Sequence, residues 1–284
     1  MQYFIENENF RQYIIPMSDT STISKGRRRF ASVLRKSGDI ISIADVSDAL
    51  SLTRTEAAKV LARWNNQGWV RRLRSGFYAP VPIASSGQEQ VLDDPWIIVP
   101  ELFGPACIGG WSAAEHWGLT EQLFRSTCVL TARPVRQKEL TIQGLPFLLK
   151  HVRESALFGT RNVWRGKVRV PVTSPAKTII DMLDDPAIGG GIRHVADCLR
   201  GYLAGESADV KELIATADKL GNGAVFKRLG FLAEREGGQE ALVEASQKRL
   251  TQGNAKLDPA IPCRKLVKRW RLWVPVSWTG KAVP

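Results

Sequence analysis

The feature that most constrains the fold is an amphipathic pattern near residue 60 that follows a helix-starting signal. The apolar residues at the i, i+3, i+4, i+7 spacing of one helix face are Ala57, Val60, Leu61 and Trp64. Directly before them, Thr53-Arg-Thr-Glu56 has the sequence of a capping box, in which the Thr hydroxyl and the Glu carboxylate each accept a backbone hydrogen bond. Gly68 ends the pattern. The sequence therefore predicts a capped helix between Thr53 and Gly68.

Shorter patterns on both sides of this helix complete a recognisable order. The flanking predictions are a basic first helix with the stripe Phe30, Val33 and Leu34, a short strand at Ile40 and Ile41, a second short helix begun by Ser42 with Val46 and Leu50 inward, and two strands, Trp69–Leu73 and Phe77–Val81, around Arg74-Ser-Gly76. A winged helix-turn-helix domain has this order of elements: a helix, a short helix, a capped helix and a basic hairpin.

The positive charge of the chain is concentrated in two segments. The 284 residues contain 40 Lys and Arg against 28 Asp and Glu, a formal net charge of +12 with neutral histidines. Residues 21–82 carry twelve bases and four acids, and residues 248–284 carry nine bases and one acid, so each segment has a net charge of +8. Residues 1–20 and 83–247 carry −2 each. Clustered bases indicate an anionic partner.

The capped helix and the hairpin supply the candidate DNA contacts. In a winged helix-turn-helix, outward side chains near the start of the third helix reach base edges in the major groove, and a basic hairpin reaches phosphates. Small Ala58 and Ala62 would allow close approach. The predicted DNA-binding residues are Arg27, Arg28, Arg54, Thr55, Lys59, Arg63, Arg71, Arg72 and Arg74. The alternative is a domain that contacts proteins and whose charges are solvated, because a fold alone does not determine a function.

The sequence predicts an α+β chain with three regions. These are an N-terminal extension of unclear structure (1–22), the winged helix-turn-helix domain (23–85) and a mixed α+β domain (92–284). The Pro, Ser and Gly content after Val81 places the linker near 85–92. The sequence leaves open whether Met17 is the true start.

The second domain is predicted to contain strands and helices to about residue 185, a helical run over 192–250 and a terminal basic strand. A short strand is predicted to begin at Cys107. Further strands are predicted at Thr127–Thr131, Glu139–Ile142, Leu145–Val152, Val168–Thr173 and Trp270–Trp278. Ser112 is predicted to cap one helix, and Ser174-Pro175 to begin another.

Several of these segments, in this order, resemble the AbiEi-type antitoxins, DNA-binding antitoxins of type IV abortive-infection systems. The segments are Gly109-Gly-Trp-Ser-Ala-Ala-Glu-His-Trp-Gly-Leu-Thr-Glu-Gln122, Val170-Pro-Val-Thr-Ser-Pro-Ala-Lys-Thr-Ile-Ile-Asp-Met-Leu183, Ala224-Val-Phe-Lys-Arg-Leu-Gly-Phe-Leu232, and Leu257-Asp-Pro259 with Arg269-Trp270. The resemblance extends over nearly the whole chain after residue 25. Phe231 stands where the family pattern has Tyr, and the ending with Trp273 and Trp278 departs from that pattern.

The resemblance implies a non-enzymatic antitoxin of a type IV toxin–antitoxin system. Such a protein counters a nucleotidyltransferase toxin and represses its own operon by binding an inverted-repeat operator in double-stranded DNA. It also implies cooperative binding to the repeats, by a monomer if the family pattern holds, although the sequence leaves the oligomeric state open. The second basic segment fits DNA and, equally well, a basic surface that meets an acidic partner or no partner.

Composition adds expectations about the compartment. A hydrophobic fraction of 44% and a mean hydropathy of −0.16 exclude wholesale disorder. No apolar run approaches the roughly 18 residues of a membrane helix, and the N-terminus lacks the pattern of a secretory signal. Four cysteines without close pairing favour a reducing compartment. We expect a cytoplasmic protein with no membrane partner and no cofactor.

Two other hypotheses remain open. One is a winged-helix transcriptional regulator whose C-terminal domain senses a ligand or partner. The other is an enzyme, for instance a nuclease that uses Asp181, Asp184 and Asp185 to bind a metal.

Three further patterns favour structural interpretations over chemistry. The sequence around Ser112 lacks the second Gly of a nucleophile elbow. His194 and Cys198 have the spacing of two metal ligands but no second pair. Gly189-Gly-Gly191 lacks the Lys of a phosphate-binding loop.

Overall fold

The computed structural model shows a mixed α+β chain with 49% helix, 21% strand and several sheets, which confirms the predicted α+β class. It describes residues 24–81, 94–206, 208–237 and 239–279. The predicted extension 1–22 and the linker near 85–92 lie outside these residues.

The chain folds into two compact units, each defined by residues that lie close together in space. The first comprises the described residues up to Leu102 together with 141–145 and 165–168, and the second comprises the remainder.

The N-terminal part of the first unit contains every element that its sequence predicts. These are α1 (Lys25–Lys36), β1 (Ile41–Ser42), α2 (Ile43–Leu50), α3 (Arg54–Asn66), β2 (Val70–Arg74) and β3 (Phe77–Pro80). The strands form an antiparallel sheet in the order β1-β3-β2. Both predicted N-terminal caps are present, because Ser42 accepts from the Asp45 amide and Thr53 from the Glu56 amide.

Apolar side chains from the three helices and the sheet meet in one small core. Val33, Val46 and Leu61 are fully buried there. An aromatic cluster closes its edge: the ring centroids of Phe30 and Trp64 lie 5.0 Å apart, and those of Phe30 and Trp69 lie 5.6 Å apart. The cluster fixes α1 against α3 and the start of the hairpin, since aromatic pairs at this distance stabilise beyond their buried area.

From residue 94 onward the chain alternates strands and helices before a helical run. The elements are α4 (Val99–Phe103), β4 (Ala106–Ile108), α5 (Gly110–His116), β5 (Thr127–Thr131), β6 (Glu139–Ile142), β7 (Leu145–His151), β8 (Thr160–Arg165), β9 (Val168–Thr173), α6 (Pro175–Asp184), α7 (Ile192–Ala204), α8 (Val210–Leu220), α9 (Gly223–Glu236), α10 (Glu240–Gln247), β10 (Ala255–Lys256), β11 (Lys265–Val267) and β12 (Leu272–Val274). Short 3-10 helices occupy Pro95–Ile98, Glu154–Ala156, Pro186–Gly189, Lys268–Trp270 and Val276–Trp278.

Two sheets and a central helix organise this region. The larger sheet has the order β6-β7-β5-β4-β9-β8, and all five residues of β5 are buried. The smaller sheet has the order β10-β12-β11. Helix α6, capped by Ser174 as predicted, is buried from Pro175 to Leu183, and α5, α7, α8 and α9 pack around it. Burial on all sides explains why its sequence is apolar on more than one face.

The predicted cap at Ser112 is wrong. Helix α5 begins at Gly110, and Ser112 lies inside it with its Oγ accepting from the Cys128 amide at 2.9 Å. Gly110 has φ 53°, and a Cβ there would lie 2.3 Å from the Ile188 carbonyl oxygen. The helix therefore begins earlier than the Ser suggests, because only glycine fits this close approach.

The predicted terminal strand Trp270–Trp278 is wrong in its extent. Only Leu272–Val274 is a strand, because Arg271 takes φ 49° and Pro275 offers no N–H to a sheet. Trp270 and Trp278 lie in 3-10 turns and are buried. Strand β8 was not predicted, because Thr160–Arg165 has no alternation of apolar and polar residues.

No helix in the described parts of the chain is long and apolar enough to cross a membrane. The longest, α9, has 14 residues, whereas a spanning helix needs about 20.

Candidate nucleic-acid interface

Helix α3 presents its predicted DNA-binding side chains to solvent. Arg54, Thr55, Lys59 and Arg63 are exposed, whereas Ala57, Leu61 and Trp64 on the opposite face are buried. Between the exposed bases, Ala58 is partly and Ala62 largely accessible. The helix surface is therefore basic, and its small residues leave room for a partner to approach the backbone.

The start of α3 is held by reciprocal hydrogen bonds. The Thr53 amide and hydroxyl donate to Glu56 Oε2 at 2.9 and 2.7 Å, and the Glu56 amide donates to the Thr53 hydroxyl at 3.3 Å. These bonds, first from the Thr53 side chain and then from its backbone, hold the pKa of Glu56 below its ordinary value. The carboxylate is therefore ionised at neutral pH and accepts hydrogen bonds at the N-terminus of the helix.

The first helix adds two more exposed bases. Arg27 and Arg28 lie on the first turn of α1, which Ser24 caps by accepting from the Arg27 amide at 3.3 Å. Val33 on the opposite face is fully buried.

The hairpin places its three arginines differently from one another. Arg72 and Arg74 are exposed and Arg71 is partly buried. The Arg72 amide donates to Asn65 Oδ1 at 3.0 Å, which ties β2 to the end of α3. Arg74 Nη1 donates to the Leu102 carbonyl at 2.8 Å, so its guanidinium already has a protein acceptor. Arg72 is thus the hairpin base best placed to reach a phosphate. The hydrogen bond between Asn65 and the hairpin could not be predicted from the sequence.

The other patterns with possible chemistry are occupied by structural contacts. His194 Nδ1 lies 2.6 Å from the Gly189 carbonyl and its Nε2 lies 2.7 Å from Thr120 Oγ1. Burial raises the pKa of the Cys198 thiol to about 12, which keeps it protonated. Both features favour a structural role for this pair.

The three carboxylates of the nuclease hypothesis have different partners. Asp181 pairs with Lys177, Asp185 pairs with Lys150, and Asp184 accepts from Asn222 Nδ2 at 2.5 Å. Within the described ranges, no three His, Cys, Asp or Glu side chains come together as a possible metal site.

The basic C-terminal segment separates into paired and unpaired charges. Lys248 pairs with Glu244, Arg249 with Asp218 and Arg269 with Glu234. For the remaining bases of the segment that the structure describes, no carboxylate lies within 4.0 Å. These bases, all exposed, are Lys256, Arg264, Lys265, Lys268 and Arg271.

A further group of bases escaped the sequence analysis, because the segment 83–247 is nearly neutral as a whole. Residues 155–180 contain five bases and no acid. Two of them are engaged by aromatic rings: Arg161 lies 5.5 Å from the Trp117 ring centre, and Arg165 lies 4.4 Å from that of Trp96. A charge count over a shorter window would have found the group.

Comparison with protein-family models finds none that matches this chain, and comparison with curated proteins finds no significant match.

Proposed function

We propose that residues 24–81 form a winged helix-turn-helix domain that binds double-stranded DNA, with α3 as the recognition helix and the β2–β3 hairpin as the wing. The observation that carries this proposal is the exposed basic surface at the start of α3, formed by Arg54, Thr55 and Lys59. Side chains at this position of a recognition helix meet base edges. We propose that Arg27, Arg28, Arg63 and Arg72, which are also exposed, contact phosphates.

We infer further that the chain is the antitoxin of a type IV toxin–antitoxin system, which counters a nucleotidyltransferase toxin and represses its own operon. Support comes from the segments that resemble AbiEi-type antitoxins. Three of them form α5, the β9–α6 connection and α9, and both α5 and α9 pack against α6. The segments thus share one core, as expected if they define a domain.

Binding to the upstream inverted repeat tests the DNA-binding part. We expect the double variant Arg54→Ala/Lys59→Ala to bind the repeat at least ten times more weakly in gel shifts, because a lost base contact costs about 1–3 kcal/mol. The control is Arg193→Ala/Lys211→Ala, which removes the same charge from exposed positions on α7 and α8. Equal affinity of both double variants would contradict the assignment of α3.

Growth rescue tests the antitoxin part. A nucleotidyltransferase encoded by the adjacent gene should arrest growth, and co-expression of this chain should restore it. The Arg54→Ala/Lys59→Ala variant should still rescue growth, because its substitutions lie outside the antitoxin core, and residues 1–90 alone should not. Rescue by residues 1–90 would contradict the assignment of toxin neutralisation to the second domain. Failure of the full chain to rescue would favour the alternative of a winged-helix regulator without a toxin.

A further inference from the structure

The small C-terminal sheet has one outward-facing row of residues that crosses its three strands. Its register aligns Lys256 of β10 with Trp273 of β12, and Trp273 with Leu266 of β11. Residues directly opposite each other on neighbouring strands point to the same side of a sheet. Lys256 and Trp273 are exposed and Leu266 is partly exposed, so this row lies on the outer side.

The other side of the same sheet faces the protein core. Leu272 aligns with Ala255 and Val267, and all three belong to or pack against the large core of the second unit. Arg264 directly precedes β11 and Lys268 directly follows it, at the start of the 3-10 helix Lys268–Trp270, and both are exposed. Arg271 directly precedes β12 and is exposed, and its Nη1 donates to the Thr251 carbonyl at 3.1 Å. We call this surface the C-terminal basic face; it comprises Lys256, Arg264, Leu266, Lys268, Arg271 and Trp273.

The charge of this face is not balanced within the described chain. Among the residues that the structure describes, no carboxylate lies within 4.0 Å of its four bases. The one acid of the segment, Asp258, is buried and accepts from the amides of Ile192 and Ala260. The pKa of Lys227 is lowered, first by burial and then by the charge of Arg271. The positive potential therefore opposes further cations and favours an anionic ligand.

The exposed ring of Trp273 indicates which class of anionic ligand this face binds. Trp273 is 36% exposed at the centre of the face. A nucleic-acid base stacks on such a ring only when it is not already stacked within a duplex, and proteins that bind single strands combine an exposed aromatic with surrounding bases. A duplex would place only its phosphates against the ring.

We propose that the C-terminal basic face binds single-stranded nucleic acid, with a base stacked on Trp273 and phosphates held by Lys256, Lys268 and Arg271. Leu266 extends the apolar platform beside the ring. This site lies wholly within the second unit and does not depend on the proposed operator binding by α3.

Fluorescence anisotropy with labelled single strands of about ten nucleotides tests the proposal. The full chain carrying Arg54→Ala and Lys59→Ala serves as the parent, so that the proposed duplex site does not contribute. We expect Trp273→Ala to weaken binding roughly ten- to a hundredfold and Trp273→Phe to retain most of it, because stacking needs an aromatic face. The matched control is Trp164→Ala, which removes a tryptophan 66% exposed on β8 and should leave the affinity unchanged.

Further measurements distinguish the ligands. Lys268→Gln should lower the salt dependence of single-strand binding by about 0.7 in log–log slope, as expected for one lost phosphate contact. RNA and DNA strands of one sequence show whether the 2′-hydroxyl contributes, and tight binding of either supports the proposal. Absence of single-strand binding, or equal losses for Trp273→Ala and Trp164→Ala, would overturn it. Equal loss of duplex binding in Trp273→Ala would also overturn it, since stacking would then not be involved.

Discussion

At the scale of single residues, the buried pair Lys177–Asp181 is the most consequential electrostatic feature. Their side chains are 1% and 8% exposed. Burial raises the pKa of Asp181 to about 6, although Lys177 acts in the opposite direction. Lys177 Nζ also lies 4.7 Å from the centre of the Phe158 ring. Removal of two charges from water is costly, so such a pair adds little net stability, but loss of one partner leaves the other charge uncompensated.

We therefore expect Asp181→Ala to lower the free energy of unfolding by about 3–5 kcal/mol. The double variant Lys177→Met/Asp181→Leu should recover most of this loss, because two apolar side chains of similar size need no charge partner. Urea denaturation measures both. Glu244→Ala breaks an exposed pair with Lys248 at the same i, i+4 spacing and should change stability little. A double variant as unstable as Asp181→Ala would show that packing, and not charge, dominates.

The raised pKa of Asp181 also predicts a pH dependence. The folded chain holds this proton more tightly than the unfolded chain, whose ordinary pKa is 3.8. The contribution of Asp181 to stability therefore falls as pH rises from the ordinary value to about 6 and is constant above that. Urea titrations across this pH range give the free energy of unfolding as a function of pH. Asp181→Asn should remove the part of that pH dependence that comes from Asp181. An unchanged pH dependence would assign it to other groups.

At the scale of elements, α9 joins α6 to the C-terminal sheet. Arg228 Nη1 donates to the carbonyls of Leu183 and Asp184 at 2.7 and 3.0 Å, at the end of α6. Its Nε and Nη2 donate to the Lys256 carbonyl at 3.0 and 2.8 Å. One buried guanidinium thus satisfies carbonyls that a helix end leaves without partners and fixes β10. Arg228 begins the Arg-Leu-Gly sequence of the segment Ala224–Leu232, and its role in this structure is to hold α6 and β10 together.

Gly230, two residues later on α9, provides the second part of this junction. A Cβ at Gly230 would lie 2.0 Å from the Trp270 ring and 2.8 Å from the Ser246 Cβ. We expect Gly230→Ala to destabilise the protein by about 1–3 kcal/mol because of overpacking, although helix propensity alone favours Ala by about 1 kcal/mol.

Thermal and urea unfolding check the prediction for Gly230. Gly26→Ala in α1 is the matched control, because its Cβ would meet the Trp69 ring at 3.4 Å and Ser24 Oγ at 3.9 Å, both ordinary van der Waals contacts. We expect that variant to be neutral or slightly more stable. Equal effects of the two substitutions would mean that Trp270 can move aside at little cost.

At the scale of the whole molecule, the net charge of +12 is carried mainly by two surfaces on different units. If the proposed duplex site lies on the first unit alone, the salt dependence of duplex binding should respond only to bases there. Arg72→Ala should reduce the log–log slope by about 0.9, and Lys268→Ala should leave it unchanged. Filter binding at several salt concentrations measures both. A reduced slope in Lys268→Ala would mean that the C-terminal basic face also contacts the duplex.

Much of the local structure follows from short-range patterns. The caps at Ser42, Thr53 and Ser174, the strand Thr127–Thr131 and the start of the helical run at residue 192 are found where the sequence predicts them. Each depends on neighbours within a few residues, through a side chain that reaches its own helix start or through regular spacing of apolar residues. Exposure of the α3 bases follows in the same way from the burial of the opposite face.

The sequence by itself thus determined the mixed α+β class, the positions of many helices and strands, and the two segments of positive charge. Only the tertiary structure decided how those charges are used: Arg74 is engaged by a carbonyl 28 residues away, and Arg269 pairs with Glu234. It also decided that Ser112 lies inside a helix and that Trp273 shares a face with Lys256. The physical reason is that these outcomes depend on partners distant in sequence, whose proximity arises only when strands pair and helices pack.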